Sequence, residues 1–487
     1  MITFIVCLVL LVGAYFTYGT YLERMVGADK SKACPSKTRY DGVDYLPLPK
    51  WKTFLIQLLN IAGLGPIFGA VLGATYGPVA FLWITFGGIL FGAMHDYISG
   101  MISLQNCGLS LPEIVGKYLG MTVKQFMRVF TVLLLVLVGA VFMLGPAGIL
   151  NGLTGFTDLT IGSVTIPNFW VWVILIYYII ATLLPIDKVI GKIYPLFGAA
   201  LIFMAVGIFV VLLFGGYDMP EFNGFANMKT DAAKFPVIPT MFITIACGAI
   251  SGFHATQSPL MARCLNNEKE GRPVFFGAMI SESIIALIWA AIAMAFFGGV
   301  GALNSELAAH GNDAAWAVDY IANSTLGKIG GLLALLGVVA APISTGDTAF
   351  RSARLIVADF LGLEQKTMRR RLYISIPLFA AGFAITLMQF DVVWRYFAWA
   401  NQTLAVFTLW TITVYLHLRK KNIYISLIPA MFMTFITSDY FFGAGEMLGL
   451  STVPSAVLAG IVTLAITVAV LMLMNRNGKK GIAQTNS

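Results

Sequence analysis

Charge is scarce in this chain. Asp, Glu, Lys and Arg make up 11% of its 487 residues, where a soluble globular domain carries about 25%. So little charge cannot coat a water-facing surface, whereas a lipid-facing surface needs no such coat. A purely soluble protein is therefore excluded. Cysteine occurs five times and histidine four. Cys7, Cys34, Cys107, Cys247 and Cys264 stand far apart, without a C-x-x-C pair or a Cys/His cluster. That removes a disulfide framework and the usual zinc modules. No His is followed by Glu-x-x-His, and no Gly-Lys pair by Ser or Thr. The metalloprotease helix and the phosphate loop of ATP-driven machines are thus missing, and nothing points to an enzyme. The apolar run 2–20 has no basic flank before it, since the first basic residue is Arg24. It reads as an uncleaved first helix rather than a signal peptide.

Apolar residues are abundant, at 58%. About 20 of them in a helix cross a bilayer core. Runs of that kind lie near 2–20, 53–75, 78–103, 127–150, 168–186, 193–215, 236–259, 273–300, 329–350, 372–389, 392–416, 423–443 and 453–474. The expected fold is therefore all-α and integral to a membrane, with about thirteen spans. Alternation of the barrel kind is absent from these runs. The net charge of +8 has a positional explanation. Of the 31 Lys and Arg, 27 fall on one alternate set of connections and 4 on the other. Basic loops stay cytoplasmic, so the N-terminus is expected outside and the C-terminus inside. With the basic residues so placed, no nucleic-acid partner is called for.

Two spans carry helix-breaking residues. The second reads Asn60-Ile-Ala-Gly63-Leu-Gly65-Pro66-Ile-Phe-Gly69, and the seventh Cys247-Gly248-Ala-Ile-Ser251-Gly252-Phe-His254-Ala-Thr256-Gln257-Ser258-Pro259. Gly loosens a helix, and Pro removes a donor and clashes with the turn before it. Unwound backbone at membrane depth is tolerated only against protein or a water-filled cavity. The two spans are five apart, so they cross in opposite directions. That is the mark of a five-plus-five inverted repeat over spans 2–6 and 7–11, with a solute site where discontinuous helices 2 and 7 meet. The organisation read is 1–52 as first span and basic loop, 53–215 and 216–420 as the two repeats, and 421–487 as two extra spans with a basic tail. Gly65, Gly69, Gly73 and Gly77 form a smooth stripe suited to helix packing.

Polar residues at depth supply candidates. For the solute these are Asn60, Gly63, Gly65, Gly248, Ser251, Gly252, His254 and Gln257 from the breaks, with Asn401 and Gln402 from span 11. Asn401 and Gln402 suit interhelical bonding equally well. His95 and Asp96, toward the cytoplasmic end of span 3, are either a loop-anchoring pair or a proton site, since His titrates near neutrality. Glu282 reads as a cap or pair near the inner face. Ser344 and Thr345 follow the carbonyl of Ala341 by three and four residues. Their oxygens suit a hard cation such as sodium, or bond back to their own helix. Asp347 either pairs with Arg351 one turn on or takes a coupling proton.

The stretches NIAGLGPIFGAVLG, LWITFGGILFGAMHD, CGAISGFHATQSP, STGDTAFRSARLIVAD and FAWANQTLA resemble those of the carbon starvation protein A family, over about residues 40–420. That family is similar to the amino acid–polyamine–organocation transporters. The resemblance implies uptake of peptides or pyruvate, both carboxylate-bearing, by secondary transport in a bacterial inner membrane. It makes Ser344 and Thr345 resemble the hydroxyl pair of a sodium site, and the loop between spans 8 and 9 an external lid. This chain is shorter than the long family members. The expected function is a proton- or sodium-driven symporter working by alternating access, without a cofactor and with the bilayer and a small solute as its partners. A channel or a membrane-embedded nutrient sensor is the alternative.

Overall fold

The computed structural model describes every residue except 43, 162–163, 184–185, 364, 366 and 486–487. It is almost wholly helical, with one small antiparallel pair at Leu159–Ile161 and Val164–Ile166. Each of the thirteen apolar runs is helical over most of its described length. The end of span 5 falls partly on 184–185, outside the described residues.

Seven helices are long and apolar enough to cross a bilayer by themselves: Ile2–Val26, Val79–Gln105, Met121–Gly152, Leu196–Phe214, Glu268–Phe296, Tyr424–Gly443 and Thr452–Arg476. The bent pair Lys50–Ile61 and Gly65–Ala74, whose axes differ by 56°, is long and apolar enough to be an eighth when its two pieces are taken together. These eight correspond to spans 1, 2, 3, 4, 6, 8, 12 and 13. The helices at spans 5, 7, 9, 10 and 11 do not reach that combination of length and hydropathy alone.

Burial separates centre from rim. The apolar windows of spans 3 and 8 are 78% and 83% buried, against 28% for spans 1 and 13. Spans 3 and 8 therefore form the heart of the bundle, and the two terminal spans present most of their surface outward. His95, Asp96 and Glu282 belong to the two most buried spans. His95 and Asp96 lie inside a helix that continues to Gln105, not at its end as the apolar run suggested. Glu282 is fully buried, so its reading as a cap near the inner face gives way to an interior position.

Both broken helices appear. Span 2 stops at Ile61 and resumes at Gly65. Span 7 has a short first piece ending at Thr244, a non-helical stretch 245–251, and a second piece Gly252–Ala262. Gly248 has φ +89°, a left-handed conformation that a side chain rarely adopts. The glycine stripe of span 2 faces this stretch. A Cβ at Gly65 would stand 2.2 Å from Cys247 Sγ, and one at Gly73 2.3 Å from Ile245. At Gly69 it would meet the Thr244 carbonyl at 3.0 Å. The stripe is thus packing surface, as its spacing suggests, and its partner is the broken part of span 7.

The connection between spans 8 and 9 is itself helical, with Val300–Ala309 followed by a helix from Ala314 that turns sharply at Gly327, φ +57°. Asn304 in the first of these donates to the carbonyls of Thr75 and Met228. It fastens the end of span 2 to the loop between spans 6 and 7.

Candidate functional site

Four ionisable side chains, all fully buried, come together beside the break of span 7. His95 Nδ1 stands 2.7 Å from Asp96 Oδ1, and His254 Nδ1 stands 2.7 Å from Asp96 Oδ2. An ionised carboxylate only accepts, so both imidazoles donate to it through Nδ1. His254 then directs Nε2 toward Glu282 Oε2 at 3.4 Å. The result is an unbroken line of titratable groups, His95–Asp96–His254–Glu282, joining spans 3, 7 and 8. Charges so deep are tolerated because they pair with one another rather than with lipid. Cys247 lies in the same place, its Sγ within 4.8 Å of ligand atoms of both His254 and Glu282.

Local sequence explains the placement. Ser251 has extended backbone and precedes Gly252–Ala262, so His254 falls in that helix's first turn. Asn401 holds the turn in place: its Oδ1 accepts from Phe253 N at 2.8 Å and from Ser251 Oγ at 3.0 Å. A side chain from span 11 therefore caps the half-helix and takes donors otherwise free for a solute carboxylate. Gln402 Nε2 donates to the Phe242 carbonyl at 3.2 Å, and Trp83 Nε1 to the Ile245 carbonyl at 3.3 Å. The freed backbone of span 7 is thus satisfied largely by protein, as unwound chain at membrane depth must be. Asn401 and Gln402 thus both bond between helices.

The break of span 2 has its own partner. Thr345 Oγ1 donates to the Leu59 carbonyl at 2.9 Å and lies 3.1 Å from the Ala341 carbonyl, to which Ser344 Oγ donates at 2.6 Å. Ser344 and Thr345 thus bond back to their own helix, and Thr345 also reaches across to span 2. Asp347 is fully buried on the same helix.

Other expected residues are placed with neighbours of their own. Gly63 packs on the Phe142 ring, and Gly252 on the backbone of Asn401 and Leu404. Gln257 Nε2 donates to Thr256 Oγ1, while its carbonyl oxygen makes no hydrogen bond. Asn60 is buried with neither amide atom bonded, and Gln57 is in the same condition. Gln57 escaped the sequence reading, although it lies one turn before Asn60 on the same face. Glu282, expected as a cap or pair near the inner face, stands in the interior instead. Its signal was a lone carboxylate in an otherwise apolar span. A small cleft is lined by Ser110, Thr256, Arg263, Ser352 and Asp359 among others.

A model of the family described as carbon starvation protein CstA matches residues 1–167 and 154–331. The chain belongs to the carbon starvation protein CstA family. An uncharacterized membrane protein of Haemophilus influenzae is 43% identical over 63% of this chain and 95% of its own length. A protein of Bacillus subtilis named peptide transporter CstA is 27% identical, over 88% of this chain and 87% of its own. The pyruvate/proton symporter BtsT of Escherichia coli is 26% identical over 56% of this chain, which spans less than half of that protein, 46%. In fold the chain is similar to a manganese transporter of Eremococcus coleocola solved as a histidine-to-alanine mutant, with a TM-score of 0.50 and 14% identity over 87% of this chain and 93% of that one. The CstA-family chain thus has the architecture of a membrane transporter, and its named relatives are transporters.

Proposed function

We propose that this protein is a proton-coupled secondary transporter that takes up a small carboxylate-bearing solute, a peptide or pyruvate, by alternating access. The observation that carries this reading is the buried line His95–Asp96–His254–Glu282, which links two central spans to the broken one. A proton held on this line changes the charge balance between spans 3, 7 and 8, and so can bias one arrangement of the bundle over another. The thirteen spans form two inverted halves, 53–215 and 216–420, that rock about the paired breaks. The N-terminus lies outside and the C-terminus in the cytoplasm of a bacterial inner membrane. The unbonded amides of Gln57 and Asn60 and the Gln257 carbonyl oxygen are the solute contacts. Amide donors suit a carboxylate, and the carbonyl suits a peptide N–H. Asn401 and Gln402 hold the broken span in shape around them.

Uptake of labelled pyruvate and of a dipeptide into proteoliposomes tests the reading, with proton and sodium gradients collapsed separately. Accumulation that follows the proton gradient supports it. Flux without accumulation against a gradient would make the protein a channel.

A second reading concerns the driving ion. The carbonyls of Leu59 and Ala341 and the hydroxyls of Ser344 and Thr345 gather four oxygens at the break of span 2. Oxygens of this kind hold a hard cation. Uptake that follows sodium and survives proton collapse would favour this group over the histidine line.

A further inference from the structure

We propose that Cys247, His254 and Glu282 form a buried binding site for a thiophilic divalent transition-metal ion of the zinc class, and that its occupancy arrests transport. One thiol, one imidazole and one carboxylate supply ligand atoms that all lie within 4.8 Å of one another. Zinc takes these three ligand types at about 2.0–2.3 Å and keeps a fourth position for water or solute. Its ligands then stand roughly 3.5 Å apart, so the three atoms need to close by only about 1 Å. Calcium and magnesium prefer all-oxygen sites and are disfavoured by the thiol.

Three further features make this more than a coincidence of residue types. His254 Nε2 and Glu282 Oε2 face each other at 3.4 Å with both residues fully buried, a separation longer than the usual hydrogen bond. Buried polar atoms held at such a distance are poorly satisfied and call for an explanation. His254 also commits its other nitrogen, Nδ1, to the Asp96 carboxylate at 2.7 Å. That bond fixes a tautomer with the Nε2 lone pair turned toward Glu282, as the outer carboxylate of a metal-binding histidine does. His95 fixes Asp96 in turn at 2.7 Å. Finally, Cys247 lies in the non-helical stretch of span 7, opposite Gly65, where any side chain on the glycine would take the space of its sulfur. Binding releases the thiol proton and leaves the ion coordinated by a thiolate, a neutral imidazole and a carboxylate.

The arrest of transport rests on the proton-coupled reading above. An ion on Nε2 and on the Glu282 carboxylate takes the two positions between which the proton would pass. Zinc and a coupling proton then compete for His254.

Cobalt(II) titration of the purified full-length protein in detergent tests the site without reference to transport. The expected result is one ion per chain, with a near-ultraviolet thiolate-to-cobalt band that zinc displaces. Cys247→Ser should abolish the band, and a Cys34→Ser control should keep it. Asp96→Asn should weaken binding by roughly ten- to a hundredfold, the usual cost of losing an outer-shell partner. Folding of each variant is checked by size-exclusion profile. No stoichiometric binding by the folded wild type, or an identical band in Cys247→Ser, overturns the site. The arrest is tested separately, as the ratio of uptake with and without zinc. Inhibition relieved at least tenfold in Cys247→Ser supports it, and equal inhibition in both proteins overturns it. Failed uptake leaves the binding result standing, and failed binding leaves the carrier reading standing.

Discussion

Asp96 is bonded to an imidazole on each oxygen, with no exposure to water. Breaking a buried pair by removing one partner costs about 3–5 kcal/mol, because a charged or polar group is left alone. Asp96→Asn is therefore expected to lower the thermal midpoint in detergent, and the added loss from His254→Gln in that background should be smaller than its loss alone. Equal, additive losses in the double-mutant cycle would mean that the two residues do not act as a unit. His254→Gln by itself keeps hydrogen-bonding groups in place but cannot carry the proton. Its initial uptake rate should fall at least tenfold at unchanged membrane abundance. Wild-type rates in that variant would remove His254 from the coupling path.

Lys229 offers a residue-scale prediction outside the spans. Its ammonium lies 5.2 Å over the Tyr76 ring and 5.4 Å over Phe235, and donates to Thr75 Oγ1. Burial lowers its pKa from 10.5 to about 8. The unfolded chain therefore binds more protons than the folded one between those two values, and stability rises with pH across that window. Thermal melts between about pH 8 and 10 should climb in the wild type, and Lys229→Met should flatten the slope. An unchanged slope in the variant would assign the effect elsewhere.

At the scale of the element, the broken span 7 depends on two devices. Gly248 supplies the left-handed turn, where an added Cβ would stand 2.5 Å from the Ala286 methyl. Asn401 caps the second half-helix. Losing a cap costs about 1 kcal/mol, and the stranded Phe253 N–H adds about 1–3 kcal/mol because it is buried. Asn401→Ala should thus destabilise by about 2–4 kcal/mol, and Asn401→Asp should recover part of the loss. Should Asn401→Ala melt like the wild type, the bond to Phe253 would be dispensable. The break was legible beforehand because Gly and Pro cluster there. The cap was not, since Asn401 lies about 150 residues from the turn it closes.

At the scale of the whole molecule, the loop between spans 6 and 7 is fastened to the end of span 2. Met228 N donates to the Tyr76 carbonyl, and Asn304 ties both segments to the helix after span 8. Under the proposed orientation, with the N-terminus outside, this is the outer side. A carrier that opens outward must part these contacts. Oxidation of a Tyr76→Cys/Met228→Cys double variant is expected to stop uptake and reduction to restore it. Full uptake by the cross-linked form would place the moving parts elsewhere. The glycine stripe at 65, 69, 73 and 77 bears on the same motion, because close backbone contact lets the two broken spans lie side by side.

The sequence by itself determined the membrane class, the run of helices and the two breaks. These follow from local quantities: apolar length against bilayer thickness, and the backbone preferences of Gly and Pro. It also named His95, Asp96, His254, Ser344 and Thr345, because a polar group inside an apolar span is costly enough to need a reason. Which of them meet is settled by the packing of the folded bundle. Asp96 and His254 are separated by 158 residues yet share a hydrogen bond, and Glu282 joins them from a third helix. Such pairings depend on how helices rotate and cross in the bundle. That is set by side-chain packing across the whole core, and no local pattern in the chain encodes it.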